Sequence, residues 1–397
     1  MLGPYRVLDL TDEQGWFAGM LLAQLGADVV LVEPAGGWPR DGGSRYRHLV
    51  YNRGKRSITI ADVGDIDHLA AEADIVLDNG GLERSDLGAQ GQPPSVDLAN
   101  LRSQNPELIT VRTTPWGETG PKAGWRATDL TLFASSGQLA VTGDSDRPPV
   151  RISLPQAWLH AESQAAVAAL VALEHRARTG RGQHVDLSAQ EAVCETALSA
   201  SLFAPAGLAE VGRSAGGVRS GTLQMRSIFA CLDGHVVVTI AFGPMIGPMF
   251  QRFLAWMAEE GAIDPDTVAK DWVDYPIHVQ EGLETASTIE RVMDQVAEFA
   301  ATKTKAQFQE RGLADALLVC PVNNLQDVLD SPQLADRQFW DDHDGVRLPG
   351  RLVAAGASPL KPLDPAPAPD QHRHDLDPSP ERTGWRSVQV PAAAPPP

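Results

Sequence analysis

Short continuous apolar runs alternate with stretches of helical spacing through the first half of the chain. Residues 5–10, Tyr-Arg-Val-Leu-Asp-Leu, read as a strand, residues 11–15 as a turn carrying N-cap side chains, and residues 16–25 as a helix closed by Gly26. Residues 28–33, Asp-Val-Val-Leu-Val-Glu, then read as a buried strand, so the opening unit is β-α-β with a right-handed parallel crossover. Further strands are expected at 58–60, 73–78 and 108–112, with a short helix over 66–72. A strand, a helix N-terminus and the acidic Glu33 ending the next strand also invite a nicotinamide site, but the glycine triplet that lets a pyrophosphate approach is missing.

After Asp129 a helix is expected, weakened by Gly137; Pro148-Pro149 breaks the chain and residues 150–154 look strand-like. An Ala-rich helix from about Trp158 to Arg178 stops at Thr179-Gly180-Arg181-Gly182, and residues 183–187 resume a strand. Residues 229–240 read as a hairpin turned at Asp233-Gly234. Amphipathic helices are expected over 248–260 and 286–301, and a strand followed by a helix over 319–329. The fold class is therefore α/β. A parallel-sheet, Rossmann-like large domain spans 1–204, a smaller α+β domain spans 205–315, the chain returns to the large domain over 316–362, and a Pro-rich extended tail fills 363–397. His372 and His374 in that tail read as solvated residues, since a lone His-x-His lacks the further ligands of a metal site; no metal is expected.

Composition narrows the function classes. The 397 residues can bury a large core, and no run approaches the roughly 18 consecutive apolar residues of a membrane helix. The N-terminus opens at once into a strand, without the pattern of a signal peptide, so a soluble, cytoplasmic protein is expected, with no membrane partner. Cys194, Cys231 and Cys320 are odd in number and far apart, which suits a reducing compartment and reads as three small core residues. A net charge of −18 argues against nucleic acid as a partner. An anionic ligand would need a local basic pocket, and Arg53, Lys55 and Arg56, with Arg40 in the preceding loop, are candidate phosphate or carboxylate contacts. Ligands of open parallel sheets lie beyond the carboxyl ends of the strands, which directs attention to the loops that follow them.

Several segments taken together resemble the class III coenzyme A transferases, the CaiB/BaiF family of formyl-CoA transferase and carnitine CoA-transferase that also holds α-methylacyl-CoA racemase. They are Arg6-Val7-Leu8-Asp9-Leu10-Thr11, Val32-Glu33-Pro34, Asn52-Arg53-Gly54-Lys55-Arg56-Ser57, Gly117-Glu118-Thr119-Gly120-Pro121 and residues 178–186, in the family's order. The resemblance implies an enzyme moving CoA between an acyl-CoA and a small carboxylic acid. It implies coenzyme A as substrate with no tightly bound cofactor, and an interlocked homodimer. By position, Gln14 matches a residue beside the reacting thioester, while Asn79, Arg84 and Arg126 match residues that contact the CoA moiety.

One departure bears on mechanism. The family's transferases attack the thioester with an aspartate just before the long Ala-rich helix, and that place is held here by Trp158, whose indole has no nucleophilic oxygen. The racemase pattern is broken as well, with Thr128 where its histidine stands. Three nearby groups are candidate replacements. Glu162 lies one helical turn beyond Trp158 on the same face, His160 is about 200° around the helix, and Asp129 starts the preceding helix, where it could cap. Three readings follow: a transferase working through Glu162 or by direct attack of the acceptor; an isomerase or lyase with His160 moving a proton alpha to the thioester; and a CoA-binding protein without chemistry, paired with an active homologue.

Overall fold

The computed structural model describes residues 1–61, 64–84, 96–197, 200, 202–203, 205–207, 212–214, 216–220, 223–343, 345–358, 360 and 362–376, leaving out the side chains of 83, 84, 218–220, 375 and 376. Two compact units are present, one of Met1–Gln138, Ile152–Pro205 and Gln333–Pro397, the other of Leu139–Arg151 and Ala206–Pro332.

The first unit is built on six parallel strands, β1 (Arg6–Asp9), β2 (Asp28–Pro34), β3 (Lys55–Ile60), β4 (Ile75–Asp78), β5 (Ile109–Thr114) and β6 (His184–Ser188), in the order β3-β2-β1-β4-β5-β6. This is a doubly wound arrangement whose strand order reverses between β1 and β4. Strands with helices on both faces need apolar side chains on both, and β2 shows it: Val29 to Val32 are all buried to within 1%. Helix α1 (Trp16–Gln24) packs against the long helix α7 (Ala157–Thr179) and is therefore apolar nearly all round.

Three further helices matter for the site: α2 (Gly42–Tyr51), α6 (Asp129–Ser135) and α7 (Ala157–Thr179), the intervening numbers being α3 (Gly64–Ala71), α4 (Gly81–Arg84) and α5 (Leu98–Gln104). In α7 the small side chains of Ala157, Ala161, Ala165, Ala169 and Ala172 form one buried stripe, which lets the helix lie close to α1 and β5. Residues 150–154 form no strand: flanked by prolines, their apolar side chains are exposed and their backbone enters no ladder. Helix α2 is not signalled by the sequence, because two glycines begin it and only His48 of its residues is buried.

The free edge of β3 is covered by the segment 363–373. Gly54 N donates to Asp364 O at 2.9 Å, Thr59 N to an Asp370 carboxylate oxygen at 2.7 Å, and His372 N to Ser57 O at 3.0 Å. His372 is thus tied to the sheet through its backbone and through Nδ1, which accepts from Ser57 N at 3.2 Å, contrary to the solvated reading; His374 is exposed. Covering an edge strand removes a template for unwanted pairing. A two-stranded hairpin, Trp340–His343 with Val346–Pro349, completes the described part of this unit.

In the second unit Ile228–Cys231 and Gly234–Val238 form the expected hairpin, its turn at Leu232-Asp233 one residue earlier than anticipated, and Val319–Val322 adds a third antiparallel strand. Helices Gly243–Glu259, Ala286–Ala300 and Lys305–Ala314 close over an aromatic cluster of Phe253, Trp256, Phe299 and Phe308. The three cysteines are free; Cys194 and Cys231 are half-buried and Cys320 is exposed, so none is a fully enclosed core residue. Among the described residues no helix is long and apolar enough to cross a membrane.

Candidate functional site

The loops leaving the carboxyl ends of β1 and β4 meet where the strand order reverses. The Asn79 carboxamide joins them: its Oδ1 accepts from Asp12 N at 3.2 Å and from Gly81 N at 2.9 Å, while its Nδ2 donates to Asp12 Oδ1 at 2.8 Å. The same Asp12 oxygen accepts from Gln14 N at 2.9 Å, so one carboxylate sets the backbone of Gln14 and its junction with Asn79. Gly81 is needed at this junction, because a Cβ there would lie 2.5 Å from Asp12 N. Gln14 is half-buried in the turn before α1.

Beneath this turn lies a closed ionic cluster. Lys55 and Asp9 are wholly buried, with Nζ 2.7 Å from Asp9 Oδ2. The ammonium also donates to Trp16 O at 2.8 Å and Asn52 Oδ1 at 2.9 Å, using all three of its protons. Burial draws the Lys55 pKa down and the Asp9 carboxylate draws it back up. The other Asp9 oxygen accepts from Thr11 N at 3.1 Å and Thr11 Oγ1 at 2.6 Å. Glu162, 1% exposed, faces the same cluster from α7. Burial, reinforced by the Asp9 charge, pushes its carboxyl pKa well up, and a hydrogen bond from Thr113 on β5 opposes this only in part. Its Oε1 has no hydrogen-bond partner among the described residues.

These positions revise several sequence expectations. Lys55 is not a surface cation: the cluster begins β3, and alternation along the strand turns its ammonium into the core. Arg53 is equally internal, donating to Val50 O and Pro349 O. Arg56 pairs with Asp28, and Arg40 pairs with Glu33 at 2.8 Å. Glu162 is enclosed on the buried side of α7. Asp129 caps, but not its own helix: Thr128 and Thr131 form the capping box of α6. Asp129 Oδ1 instead accepts from Gln156 N at 2.7 Å and Ala157 N at 2.8 Å, at the start of α7. Trp158 and His160 follow in the first turns of α7, both half-buried. Arg126 is exposed on the segment entering α6; Arg84 ends α4, and its side chain lies outside the described residues.

Sequence reasoning passes over Asp9 and Thr113. Asp9 falls within a strand that is recognised by its apolar residues, and only the three-dimensional meeting of β1, β3, β5 and α7 reveals its partner. A recess of about 860 Å³ opens at the opposite, amino end of the sheet, but Arg6 and Arg176 there are already paired with Asp28 and Asp74.

A doubly wound parallel sheet with its convergent loops at the β1–β4 reversal defines an α/β protein of the kind that holds a nucleotide-bearing ligand in that crevice. The family model described as CoA-transferase family III matches residues 2–373, and the chain belongs to that family. It is 31% identical over 375 residues to succinyl-CoA:(R)-benzylsuccinate CoA-transferase subunit BbsE of Thauera aromatica, covering 89% of this chain and 86% of the relative. To succinyl-CoA:mesaconate CoA-transferase of Haloarcula hispanica it is 30% identical over 412 residues, covering 94% and 95%. The fold matches a CAIB/BAIF family protein from Brucella suis with a TM-score of 0.76 at 24% identity, over 94% of this chain and 98% of that one. With CoA-transferases as relatives over most of its length, the chain is a CoA-transferase, and those relatives use CoA thioesters as substrates.

Proposed function

We propose that this cytoplasmic enzyme transfers CoA from succinyl-CoA to a small carboxylic acid, with the CoA arm lying over the carboxyl ends of β1 and β4. The observation that carries the reading is the Asn79–Asp12–Gln14 junction at the strand-order reversal, in a chain that the family model spans almost completely. The succinyl donor is taken from the names of both relatives. Gln14 stands beside the thioester, and Asn79, Arg84 and Arg126 serve the CoA moiety. Lys55, Arg53 and Arg56 are committed within the protein, and Arg40 to Glu33. With Trp158 in the place of the family's aspartate and Glu162 enclosed, the acceptor carboxylate attacks the thioester carbon directly. The C–S bond breaks, CoA leaves as a thiolate, and a mixed anhydride remains. The thiolate then attacks the acceptor-derived carbonyl and expels succinate. Gln14 and the loop amides stabilise the developing oxyanion.

The test is incubation of the full chain with succinyl-CoA and a panel of mono- and dicarboxylates, followed by mass spectrometry of the thioesters and hydroxylamine trapping. A new acyl-CoA without a protein adduct is expected. A protein hydroxamate would replace direct attack with covalent catalysis, and no new thioester with any acceptor would sink the reading for the isolated chain.

A second reading is favoured by Trp158 together with the word subunit in the name of the Thauera relative. In it, this chain binds CoA in an assembly with a homologous subunit that supplies the nucleophile, in place of the interlocked homodimer. Transfer that appears only on co-expression with such a homologue, with one copy of each chain by native mass spectrometry, would establish it. His160 as a base for proton transfer would instead show as deuterium entering the alpha carbon of the acyl group without any acceptor.

A further inference from the structure

We propose that Asp9, Lys55 and Glu162 form a positioning cluster for Gln14, and that the cluster holds its arrangement only while Glu162 keeps its proton. The inference rests on the transferase reading for the role of Gln14 and on geometry for the rest.

A series of hydrogen bonds leads from the cluster to Gln14. Lys55 Nζ fixes Asp9 Oδ2 at 2.7 Å, and Asp9 Oδ1 fixes the amide and hydroxyl of Thr11. Thr11 O in turn accepts from Trp16 Nε1 at 3.1 Å, which closes the turn around Asp12 and Gln14. Asp12 then holds Gln14 N at 2.9 Å. The side chain of Gln14 is aimed by backbone that this cluster secures.

Counting donors and charges decides what Glu162 can be. All three Lys55 protons are spoken for, so the ammonium has none for a second carboxylate. The groups facing Glu162 are Asp9 on β1, Asp12 in the turn, Lys55 on β3 and Thr113 on β5. Glu33 on β2 also faces Lys55, but its charge is balanced by Arg40. Glu162 thus faces one cation, Lys55, and two carboxylates, Asp9 and Asp12. An ionised Glu162 would be a buried charge with an oxygen that no donor among the described residues reaches, and it would compete with Asp9 for Lys55. Losing the Asp9 contact frees Thr11 and, with it, the turn that carries Gln14.

The experiment follows kcat for CoA transfer from succinyl-CoA between pH 6 and pH 10, in the full chain and in Glu162→Gln and Thr113→Val. Hydrogen-exchange protection of residues 9–16 is measured on the same samples and corrected for intrinsic rate. In the unmodified chain kcat should fall at least tenfold on an alkaline limb, together with protection of Thr11 and Gln14. The limb should vanish in Glu162→Gln. In Thr113→Val, which removes the hydroxyl that favours the ionised form, it should move to higher pH. A purely structural role for Glu162 would leave the limb in place in every protein that folds, and that result overturns the proposal. If no transfer occurs at all while protection still follows the expected pattern, the transferase reading fails and the cluster stands. If transfer occurs and protection is independent of pH, the cluster fails and the transferase reading stands.

Discussion

Asp129 Oδ1 lies 2.8 Å from the amide nitrogen of Ala157, so the first residue of one helix caps the N-terminus of another. The first four amides of a helix have no internal partner, and α7 has no cap of its own because the Gln156 side chain makes none. Asp129 serves two amides at once, and its charge also suits the positive end of a 23-residue helix. Asp129→Ala should lower stability by about 0.5–2 kcal/mol, the range for losing an N-cap oxygen. Asp129→Asn should recover most of it, as read by urea unfolding. If Asp129→Asn folds as well as the unmodified chain yet transfers no CoA, the carboxylate has a chemical role beyond capping.

Gly19 sits on α1 where the buried ion pair passes. A Cβ at this position would lie 2.2 Å from Asp9 Oδ2 and 2.9 Å from Lys55 Nζ, closer than either atom could tolerate. In an exposed helix interior, Gly to Ala gains about 1 kcal/mol. Here the gain is outweighed, since separating a buried ion pair costs about 3–5 kcal/mol. Gly19→Ala should be destabilised by roughly 2 kcal/mol or more by the balance of those two effects. An unchanged or raised unfolding midpoint would mean that α1 can move aside without disturbing Lys55.

How much of this was legible depends on how local each signal is. The parallel strands declared themselves because burial on both faces demands runs such as Val29-Val30-Leu31-Val32. Helix α2 did not, since Gly42-Gly43-Ser44 begins it with residues of poor or indifferent helix preference and its support is tertiary, through His48. The cations of Asn52-Arg53-Gly54-Lys55-Arg56 looked like one patch because they are adjacent in sequence. In the fold they part company: Arg53 turns to Pro349, Lys55 to Asp9 and Arg56 to Asp28. The loops at Gln14 and Asn79 were identifiable through family resemblance, whereas the hydrogen bonds that join them through Asp12 are a product of strand order.

His48 carries a pH dependence of its own. It is 4% exposed; Nδ1 faces the Asn52 amide at 3.0 Å, while Nε2 lies 3.0 Å from Pro367 O and 3.3 Å from Arg40 Nε, whose positive charge disfavours a second proton on the ring. Burial, then the nearby Arg40 charge, lowers its pKa below the ordinary 6.5. The unfolded chain therefore takes up a proton before the folded one does. The contribution to stability is complete above about pH 6.5 and is lost as pH falls from there through the folded-state pKa, with a slope of at most about 1.4 kcal/mol per pH unit. Urea midpoints measured from pH 7.5 to pH 5 should fall more steeply for the unmodified chain than for His48→Gln. Parallel curves would show that the ring titrates alike in both states.

Asn79→Asp separates the role of the carboxamide from that of its shape. The substitution keeps an acceptor for Asp12 N and Gly81 N but removes the donor to Asp12 Oδ1 and sets two carboxylates 2.8 Å apart, measured from the present Nδ2 position. Two acids at that distance share a proton or move apart, so the junction between the loops after β1 and β4 should open at neutral pH and partly close in acid. Because Asp12 also holds Gln14 N, the loss should appear in kcat as well as in KM for the acyl-CoA, with kcat/KM down by about tenfold to a hundredfold, equivalent to 1.4–2.8 kcal/mol. Asn79→Ser, which is smaller and uncharged, should lose less. A rise in KM alone, with kcat intact and the same deficit in both variants, would confine Asn79 to binding the CoA moiety and detach it from the setting of Gln14.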